Sequence, residues 1–568
     1  MNRKEGNGDV SMIKTRLFAV TALSLAVLAG CGGSSSSDSD PPVVEPVPFS
    51  FVEATVSSLH TSLETGGVSC EDVIQGYIDR IHAYDDDGTE TELRSVVNIN
   101  PDALFEAREK DLNFEVTGID GPLYCVPVLP KDNFNTKQMP TTGGAIAFQY
   151  NRPLEDAYTI RRLREAGAIV IGKANMDEFA FGFTGASSLR GLVKNAYDQS
   201  KGAGGSSSGT GTAIAASLAM VGTGSDTGGS IRVPSSLGGL VGIRPSLKLV
   251  SQDGIMPLAS WQDTGGPMCR TVEDCALMMD AMVGFDDSPH ANQRISFEID
   301  APAMSGEDEY KTLTGVPDTY TDYLDADGLN GARIGVVREL FGSNETVNAV
   351  LEDALAAMEA AGATVEDVTV DDLSTILGDY SSMSSYEFQH DLVAYLNSWV
   401  NVMDGHIQTY QGLLDSGGYL PNYQSSLEYR GTIDLDNLTE EQQEVYSKNT
   451  VERPVFVRER LMRALDNVDA AGNSLGQPYD VLLYPTMTGL AGDLGGSPSA
   501  GSNNRLSPFS QFPALTLPAG MATNLEPAQP IGMEMLGREY AEPTLIKIAY
   551  GYQEQVHPRQ PPTFTPEL

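Results

Sequence analysis

Two serines in a glycine-rich segment, Ser206 and Ser230, have a spacing that could support nucleophilic catalysis. The segment spans residues 202–245, and a run of small residues at 210–220 separates the two serines. Such a run predicts a short helix, and a helix between two glycine turns can bring both hydroxyls to one place. In residues 226–230, successive backbone N–H groups could form an anion-binding nest beside the Ser230 hydroxyl. The pattern therefore favours a serine nucleophile and an oxyanion site on one loop.

A serine nucleophile needs a base, and Lys131 has the most suitable sequence setting to supply one. It follows an apolar run at residues 124–129 and a proline, so we expect its ammonium group to be poorly solvated. Such burial lowers the pKa of a lysine and leaves a neutral amine that can accept a proton. None of the six histidines lies in a comparable setting. We expect Ser206 to relay the proton between Ser230 and Lys131.

The order of these blocks resembles the amidase signature family. Residues 204–245 match the family pattern of GGSS, a small-residue helix and G(T/S)DTGGSIR, and the 24 residues from Ser206 to Ser230 match its spacing. Residues 121–133 resemble the family block GPLxGxPxxxKDN, with Cys125 where glycine is usual. The resemblance covers roughly residues 51–555. Further matching blocks lie at residues 140–143, 172–179 and 266–272 and in the DVLLYPT and FPALTLPAG segments.

The resemblance implies a catalytic triad of Lys131, Ser206 in a cis peptide, and Ser230. A member of this family hydrolyses an amide through an acyl-enzyme, here on Ser230, and releases a carboxylic acid with ammonia or an amine. No cofactor is expected, and the histidine spacing fits no metal site. The oxyanion hole is expected to consist of the N–H groups of Thr227, Gly228, Gly229 and Ser230.

Three further residues are predicted to support the nucleophile loop without reacting. Asp226 and Arg232 could form an ion pair that fixes the loop, and Ser207 adjoins the relay serine. These three positions complete the predicted site.

A competing hypothesis places the nucleophile at Ser207. Residues 205–209 satisfy GxSxG, the nucleophile motif of α/β-hydrolases, with His557 as the late histidine. That motif requires a buried strand just before the serine, whereas residues 197–202 are polar. The sequence therefore favours Ser230.

The substrate is less closely defined by the sequence. Residues 386–396 and 504–507 resemble the peptide-amidase-like branch, which removes C-terminal amide groups from peptides. An aryl acylamidase or a carbamate hydrolase is an alternative, because fold and triad do not fix the pocket. Residues 172–179 are shared with subunits of tRNA-dependent amidotransferases, but a secretion signal and a net charge of −41 disfavour a tRNA partner. The remaining hypothesis is a non-catalytic surface binding protein.

Alternating strand and helix patterns must position these residues, and they predict an α/β fold. We expect a single large domain with a central mixed β-sheet flanked by helices. Residues 513–520 should form a strand at the sheet edge, and residues 382–465 a helical cap with Leu392, Tyr395, Leu396 and Val400 on one face. Other strands are expected at residues 124–129, 168–172, 220–223, 333–337 and 480–484. Other helices are expected at residues 159–166, 272–282, 347–361 and 453–465.

The first 31 residues are typical of a bacterial lipoprotein signal peptide. A short basic region precedes an apolar stretch too short to span a bilayer, which ends in Leu-Ala-Gly-Cys with Cys31 as the lipidated residue. Residues 32–50 form a Ser/Pro-rich tether, and residues 51–568 the catalytic domain. The sequence thus predicts an exported enzyme anchored by lipid to the cell envelope, on the periplasmic face or in the outer membrane.

The net charge restricts which molecules can be partners of this protein. A net charge of −41 disfavours nucleic acid and an anionic membrane surface as direct partners, so we expect contact with the membrane only through the anchor. The partner is expected to be a small-molecule or peptide amide, with the enzyme a monomer or homodimer.

Buried free thiols are the default expectation for the other four cysteines, and one disulfide is possible in an exported protein. A loose, proline-rich tail is expected from His557.

Overall fold

The computed structural model describes residues 45–399 and 406–568. The predicted signal peptide with Cys31, most of the predicted tether, and Val400 therefore lie outside the described residues. The helices are Val56–Glu64 (α1), Cys70–Tyr84 (α2), Ala103–Thr117 (α3), Tyr158–Glu165 (α4), Ser208–Ala215 (α5), Arg232–Leu237 (α6), Val272–Met282 (α7), Glu307–Thr314 (α8), Glu345–Ala360 (α9), Leu373–Gly378 (α10), Ser384–Trp399 (α11), Tyr410–Ser416 (α12), Gln424–Arg430 (α13), Glu440–Ser447 (α14), Arg453–Asp466 (α15), Leu506–Ser510 (α16) and Glu542–Val556 (α17).

Fourteen strands accompany these helices in the described part of the chain. They are Val96–Ile99 (β1), Pro127–Pro130 (β2), Ile169–Val170 (β3), Gly172–Ala174 (β4), Ala186–Ser187 (β5), Gly191–Leu192 (β6), Val221–Asp226 (β7), Val241–Arg244 (β8), Thr264–Cys269 (β9), Arg333–Val336 (β10), Thr364–Asp367 (β11), Val481–Pro485 (β12), Ala514–Ala522 (β13) and Gln529–Leu536 (β14).

Ten of the strands form one central sheet in the order β11-β10-β12-β14-β13-β8-β9-β7-β2-β3. The sheet is mixed, because β2 runs parallel to β3 and β7 whereas β9 runs antiparallel to β7 and β8. A single hydrophobic core joins this sheet to α2, α7, α9 and α17. The predicted α/β domain with a mixed sheet flanked by helices is confirmed.

Several predicted elements differ from the structure in place or length, and two of these differences bear on the site. The strand predicted at residues 513–520 is β13, which lies inside the sheet between β14 and β8, so the prediction of an edge strand is wrong. The helix predicted at residues 210–220 is α5, which ends at Ala215. The chain turns at Ser217, where φ is 54°, and then enters β7. The whole run 210–220 consists of small or apolar residues, so composition alone could not place that turn.

The helix α5 packs unusually close to its neighbours, and this brings the glycine turn at its N-terminus against β7. A Cβ atom at Gly209 would collide with the carbonyl oxygens of Ser95 and Asn175. At Gly222 of β7, a Cβ would collide with the Thr210 side chain of α5. Both glycines therefore serve close approach of backbone, and the approach places residue 206 next to the end of β7.

The helical region predicted at residues 382–465 contains α11 to α15 in its described part. Leu392, Tyr395 and Leu396 of α11 are buried in a cluster with Phe179 and Met256, two residues of the loops around the glycine-rich segment. The region therefore packs beside these loops, as the predicted cap requires.

Two cysteines form a disulfide and two are free. Cys70, at the start of α2, is bonded to Cys125, just before β2. Cys269 and Cys275 are buried free thiols. The expectation of free thiols thus holds for the second pair and fails for the first. Cys125 has φ of 62°, a left-handed conformation that explains why the resembling family usually has glycine there.

The C-terminal tail is held against the body, so the prediction of a loose tail is wrong. The buried guanidinium of Arg80 donates to the carbonyl oxygens of Thr565 at 2.9 Å and Pro566 at 2.7 Å. The Glu567 carboxylate accepts the N–H of Val52 at 2.9 Å. These long-range contacts carry no periodic signal in the sequence.

Candidate active site

Lys131 follows β2 directly and is fully buried. Its Nζ donates to Ser206 Oγ at 2.8 Å and to Ser225 Oγ at 2.9 Å, and lies 3.3 Å from the Ser225 carbonyl oxygen. The parallel pairing of β2 with β7 sets this geometry, because both strands deliver their C-terminal ends to the same edge of the sheet. Lys131 and Ser206 therefore meet as the sequence predicts.

Burial lowers the pKa of Lys131 to about 7, although the carboxylates of Asp177, Asp226 and Asp263 act to raise it. Much of the amine is then neutral near pH 7. A neutral amine at 2.8 Å can accept the proton of the Ser206 hydroxyl.

Ser206 is joined to Gly205 by a cis peptide bond, as the family resemblance implies. The Asp177 N–H donates to the Ser206 carbonyl oxygen at 3.0 Å and so holds the peptide group that follows Ser206. The Asp177 carboxylate lies so close to Gly205 that a Cβ atom at residue 205 would collide with it. Only glycine fits at that position, so the relay serine is fixed by its surroundings.

Ser230 lies in the turn between β7 and α6 and is almost fully buried. Its carbonyl oxygen accepts the N–H of Ser207 at 3.2 Å, which ties the two glycine turns together. Within the described residues, the structure has no hydrogen bond between the hydroxyls of Ser206 and Ser230. Catalytic hydrogen bonds of free enzymes are often long and shorten when substrate binds, so this arrangement is compatible with a relay.

The N–H groups of the nucleophile loop do not all point in the same direction. The Gly229 N–H donates to Asp226 Oδ1 at 2.7 Å, so it is engaged and not available for an oxyanion. In the described chain, no hydrogen bond engages the N–H groups of Thr227, Gly228 or Ser230. Three donors therefore remain of the four predicted from the family resemblance.

Asp226 and Arg232 form the predicted ion pair, within a larger buried network. Arg232 Nε lies 3.1 Å from Asp226 Oδ2, and Arg232 Nη1 lies 2.5 Å from Glu534 Oε1. Arg244 Nε is 3.4 Å from Asp226 Oδ1, and the Tyr484 hydroxyl donates to Glu534 at 2.9 Å. These contacts connect the nucleophile loop to β12 and β14.

The network keeps the Asp226 carboxyl ionised. Burial acts to raise the pKa of its carboxyl, but Arg232 and Arg244 outweigh burial and lower the pKa to about 2. The ionised carboxylate accepts the N–H groups of Gly229 at 2.7 Å and Ile231 at 3.1 Å, on either side of Ser230. Asp226 therefore fixes the backbone that carries the candidate nucleophile.

Sequence reasoning missed several residues of the site. Ser225 Oγ accepts from both Lys131 Nζ and Asn133 Nδ2, at 2.9 and 3.0 Å. The Asp177 carboxylate accepts the N–H of Gly185 at 2.7 Å, and Asp263 accepts the Thr227 hydroxyl at 2.5 Å. Ser225 adjoins Asp226 in the GSDTGGS run, a signal that could have indicated it. Asp177 lies in the matching block 172–179, which could have indicated it, whereas Asp263 comes from a distant segment without such a signal.

Ser207 does not have the surroundings of an α/β-hydrolase nucleophile. It immediately precedes α5, and the residues before it form turns and isolated bridges, with no strand. Its side chain is fully buried, and its hydroxyl lies 3.4 Å from the Ser225 carbonyl oxygen. His557 caps α17 and lies with Glu53 and Arg559 around a different cavity. The structure therefore favours a supporting position for Ser207.

A cavity of about 290 Å³ is lined in part by Ser225 and Asp263. Its walls are the loop 252–263, the loop 289–294 and one face of α11. His390, Asp391 and Tyr395 of α11 face it, so the cavity has both polar and aromatic walls. In residues 45–399 and 406–568, no group of three or more His, Cys, Asp and Glu side chains could hold a metal ion.

Both a protein family and individual known proteins match this chain over most of its length. The family described as Amidase matches residues 72–546, which is most of the chain. The chain belongs to the amidase family. It is 31% identical over 523 residues to a glutamyl-tRNA(Gln) amidotransferase subunit from Ralstonia nicotianae, covering 89% of this chain and 99% of that protein.

Solved amidase structures have the same fold. The native peptide amidase from Stenotrophomonas maltophilia matches with a TM-score of 0.74 and 31% identity, over 91% of this amidase and 100% of that chain. An amidase family protein from Bacillus anthracis matches with a TM-score of 0.74 and 29% identity, over 90% and 93% of the two chains. This protein is therefore an enzyme that acts on amide bonds.

Proposed function

We propose that this amidase hydrolyses C-terminal carboxamides of peptides through an acyl-enzyme on Ser230, with Ser206 as proton relay and Lys131 as base. The observation that carries the proposal is the 2.8 Å contact between the buried Lys131 Nζ and Ser206 Oγ, in a turn that the Ser207 N–H ties to the Ser230 carbonyl oxygen. Within the described residues, no carboxylate is directly bonded to this amine. A buried lysine in such a setting is costly to charge, and proton acceptance is the chemistry that its amine can supply.

The reaction balances as two acyl transfers. Ser230 Oγ attacks the carboxamide carbon while its proton passes to Ser206 Oγ and the Ser206 proton passes to neutral Lys131. The carbonyl oxygen becomes an oxyanion beside the free N–H groups of the loop. The C–N bond then breaks, and the proton on Lys131 returns through Ser206 to the departing ammonia. Water repeats the sequence on the acyl-enzyme and releases the acid and Ser230.

Two observations support a peptide amide as substrate. Of the two segments that resemble the peptide-amidase-like branch, residues 386–396 share a cavity with Ser225 and residues 504–507 contact Gly228. The first belongs to α11, which lines the cavity, and Asn504 of the second donates to the Gly228 carbonyl oxygen. The peptide amidase from Stenotrophomonas maltophilia is 31% identical over most of the chain. The likeness to a bacterial aryl acylamidase, at 20% identity and a TM-score of 0.67, concerns the fold alone.

The N-terminal residues are the basis of a proposal for the cellular setting. We propose that the enzyme is exported and anchored by a lipid on Cys31 at the cell envelope, either on the periplasmic face or in the outer membrane. The buried Cys70–Cys125 disulfide supports an oxidising compartment. No helix in the described ranges is long and apolar enough to cross a membrane. Metabolic labelling with a fatty acid should mark the wild-type chain and not Cys31→Ser; equal labelling of both would contradict the anchor.

The function is tested by turnover of a matched substrate panel. The panel contains peptide amides, the same peptides as anilides, and a carbamate, and ammonia or amine release is measured. We expect ammonia release from the peptide amides, lost in Ser230→Ala and retained in Ser208→Ala. Ser208 is the matched control because it is a buried serine of the same segment whose hydroxyl has no hydrogen-bond partner among the described residues. Selective turnover of anilides or carbamates would contradict the substrate, and no turnover by any member would favour a binding protein.

A further inference from the structure

The peptide group between Thr227 and Gly228 is held from a segment that the proposed mechanism does not use. Gln262 Nε2 donates to the Thr227 carbonyl oxygen at 3.1 Å, and the Gln262 side chain is 1% exposed. This peptide is trans, so its N–H group points away from its carbonyl group. A donor fixed on the Thr227 oxygen therefore also fixes the direction of the Gly228 N–H.

The Gly228 position faces open space. A Cβ atom at Gly228 would have no atom within 4 Å, whereas one at Gly229 would lie 2.8 Å from the Asn504 side chain. No hydrogen bond within the described residues engages the Gly228 N–H. An unengaged N–H beside open space, two residues from Ser230, is placed to receive the oxygen of a bound carbonyl.

Asp263 holds the side chain of the same residue, Thr227. The Thr227 hydroxyl donates to Asp263 Oδ1 at 2.5 Å. Asp263 Oδ2 accepts the N–H groups of Leu258 at 2.7 Å and Ala259 at 2.9 Å, so the carboxylate is itself fixed by the backbone. Thr227 is thus held at its carbonyl group by Gln262 and at its hydroxyl by Asp263.

Gln262 is in turn held by the helical region over the site. Its Oε1 accepts Arg453 Nη1 at 3.1 Å and lies 3.3 Å from the Met383 nitrogen. Arg453 is buried at the start of α15, and Met383 immediately precedes α11. The Gln262 amide therefore connects the cap helices to the nucleophile loop.

We propose that Gln262 and Asp263 are positioning residues that aim the Gly228 N–H at the oxyanion formed during acyl transfer. The proposal rests on the proposed function, because it needs an oxyanion at Ser230. A donor of this kind acts on charge that develops only in the transition state. Its misalignment should lower kcat and leave KM nearly unchanged, which a general loss of structure would not do.

Two substitutions at residue 262 separate positioning from folding. Gln262→Met removes both sets of hydrogen bonds. Gln262→Glu keeps the acceptor for Arg453 and Met383 but replaces the donor to the Thr227 oxygen with another oxygen. The Glu variant should therefore keep the cap in place and lose only the orientation of the Thr227–Gly228 peptide.

Asn100→Leu is the matched control. Asn100 is also a buried amide side chain between backbone groups, with Nδ2 donating to the Val170 oxygen at 2.7 Å and Oδ1 accepting the Asp102 N–H at 3.0 Å. It lies beside β3 at the end of the sheet, away from the nucleophile loop. Its loss should cost stability in the same manner and leave catalysis unchanged.

The experiment measures the second-order rate at which a fluorophosphonate labels Ser230, together with kcat and KM on a peptide amide. We expect both Gln262 variants to label about 10-fold to 100-fold more slowly than wild type, with kcat lowered in parallel and KM little changed. Asn100→Leu should label at the wild-type rate. Wild-type rates in Gln262→Glu, or a change confined to KM, would overturn this inference alone. Absence of label on Ser230 in the unsubstituted enzyme would overturn the proposed function and this inference together.

Discussion

The proposed mechanism depends on the protonation state of a single residue, Lys131. Burial lowers the pKa of this amine to about 7, and only its neutral form can accept a proton. We therefore expect kcat/KM to rise about 10-fold per pH unit below pH 7 and to level off above it. A pH–rate profile on a neutral peptide amide measures this directly. An acidic limb centred near pH 4, or a rate that falls from pH 7 to 9, would contradict Lys131 as base.

The buried charge network gives a second prediction at this scale. Asp226→Asn removes the carboxylate that offsets Arg232 and Arg244 and leaves Glu534 as the remaining acidic partner of the network. Breaking a buried ion pair on one side costs about 3–5 kcal/mol. We expect a loss of unfolding free energy of that size in urea titrations and a large fall in kcat, because the same carboxylate holds the Ser230 turn.

The comparison for this prediction is Asp274→Asn, a buried carboxylate that accepts the N–H of Val56 far from the nucleophile loop. Burial raises the pKa of the Asp274 carboxyl to about 6, so its replacement by a neutral amide should cost little stability, and this variant should keep its kcat. An Asp226→Asn enzyme with wild-type kcat would contradict the supporting role of Asp226.

Residue chemistry in the sequence predicts part of the site and misses the rest for a definite reason. Lys131 and Ser206 could be paired because their local settings are unusual and the resembling family relates them. The engaged N–H of Gly229 and the contact of Gln262 with Thr227 depend on how separate loops are oriented. Such orientations leave no mark on residue type or spacing, so they appear only in the structure.

At the scale of elements, the Cys70–Cys125 disulfide joins α2 to the segment that leads into β2 and Lys131. The bond closes a loop of 55 residues, and such cross-links typically stabilise a fold by about 2–4 kcal/mol. We expect the Cys70→Ser/Cys125→Ser double variant to unfold at lower denaturant concentration and to retain activity at 25 °C. Denaturant unfolding followed by circular dichroism measures the difference.

A reductant supplies the control for this disulfide prediction. Unfolding of the wild-type enzyme in dithiothreitol should approach that of the double variant, and the variant itself should not respond. Equal stability of the double variant and the wild-type enzyme without reductant would show that the disulfide does not stabilise the fold.

Local sequence predicts where helices and strands begin and end better than it predicts which elements lie next to each other. The helix expected at residues 272–282 is Val272–Met282, because its periodicity and its Thr271 cap are local signals. The strand at residues 513–520 could be found from its apolar run, but its place inside the sheet depends on pairing with β14 and β8. Pairing with a distant strand is a non-local property, and the same is true of the tail bound by Arg80.

At the scale of the whole molecule, a net charge of −41 should influence which peptides reach the site. Long-range attraction raises the association rate of cationic ligands and is screened when the Debye length shrinks to about 3 Å at 1 M salt. We expect kcat/KM at low ionic strength to be higher for a peptide amide with two lysines than for its glutamate counterpart. The ratio should fall as salt is added, measured with both peptides in one assay series.

A matched neutral peptide amide serves as reference, because its kcat/KM should change little with salt. A ratio that stays constant with ionic strength would show that any preference comes from contacts in the cavity and not from the overall field.

The α/β class and the single large domain follow from sequence alone, since they depend on composition and alternating patterns. Residues 1–44 lie outside the described chain, so the anchor remains a prediction from sequence.

The central claim is that Ser230 is the nucleophile and is activated through Ser206 by Lys131. The most direct measurement is peptide mapping by mass spectrometry after brief exposure to a fluorophosphonate, for wild type, Ser230→Ala, Lys131→Met and Ser208→Ala. The account predicts one adduct, on Ser230, that is absent in Ser230→Ala, strongly slowed in Lys131→Met and unchanged in Ser208→Ala. An adduct on Ser207, or one on Ser230 that forms at the same rate without Lys131, would contradict it.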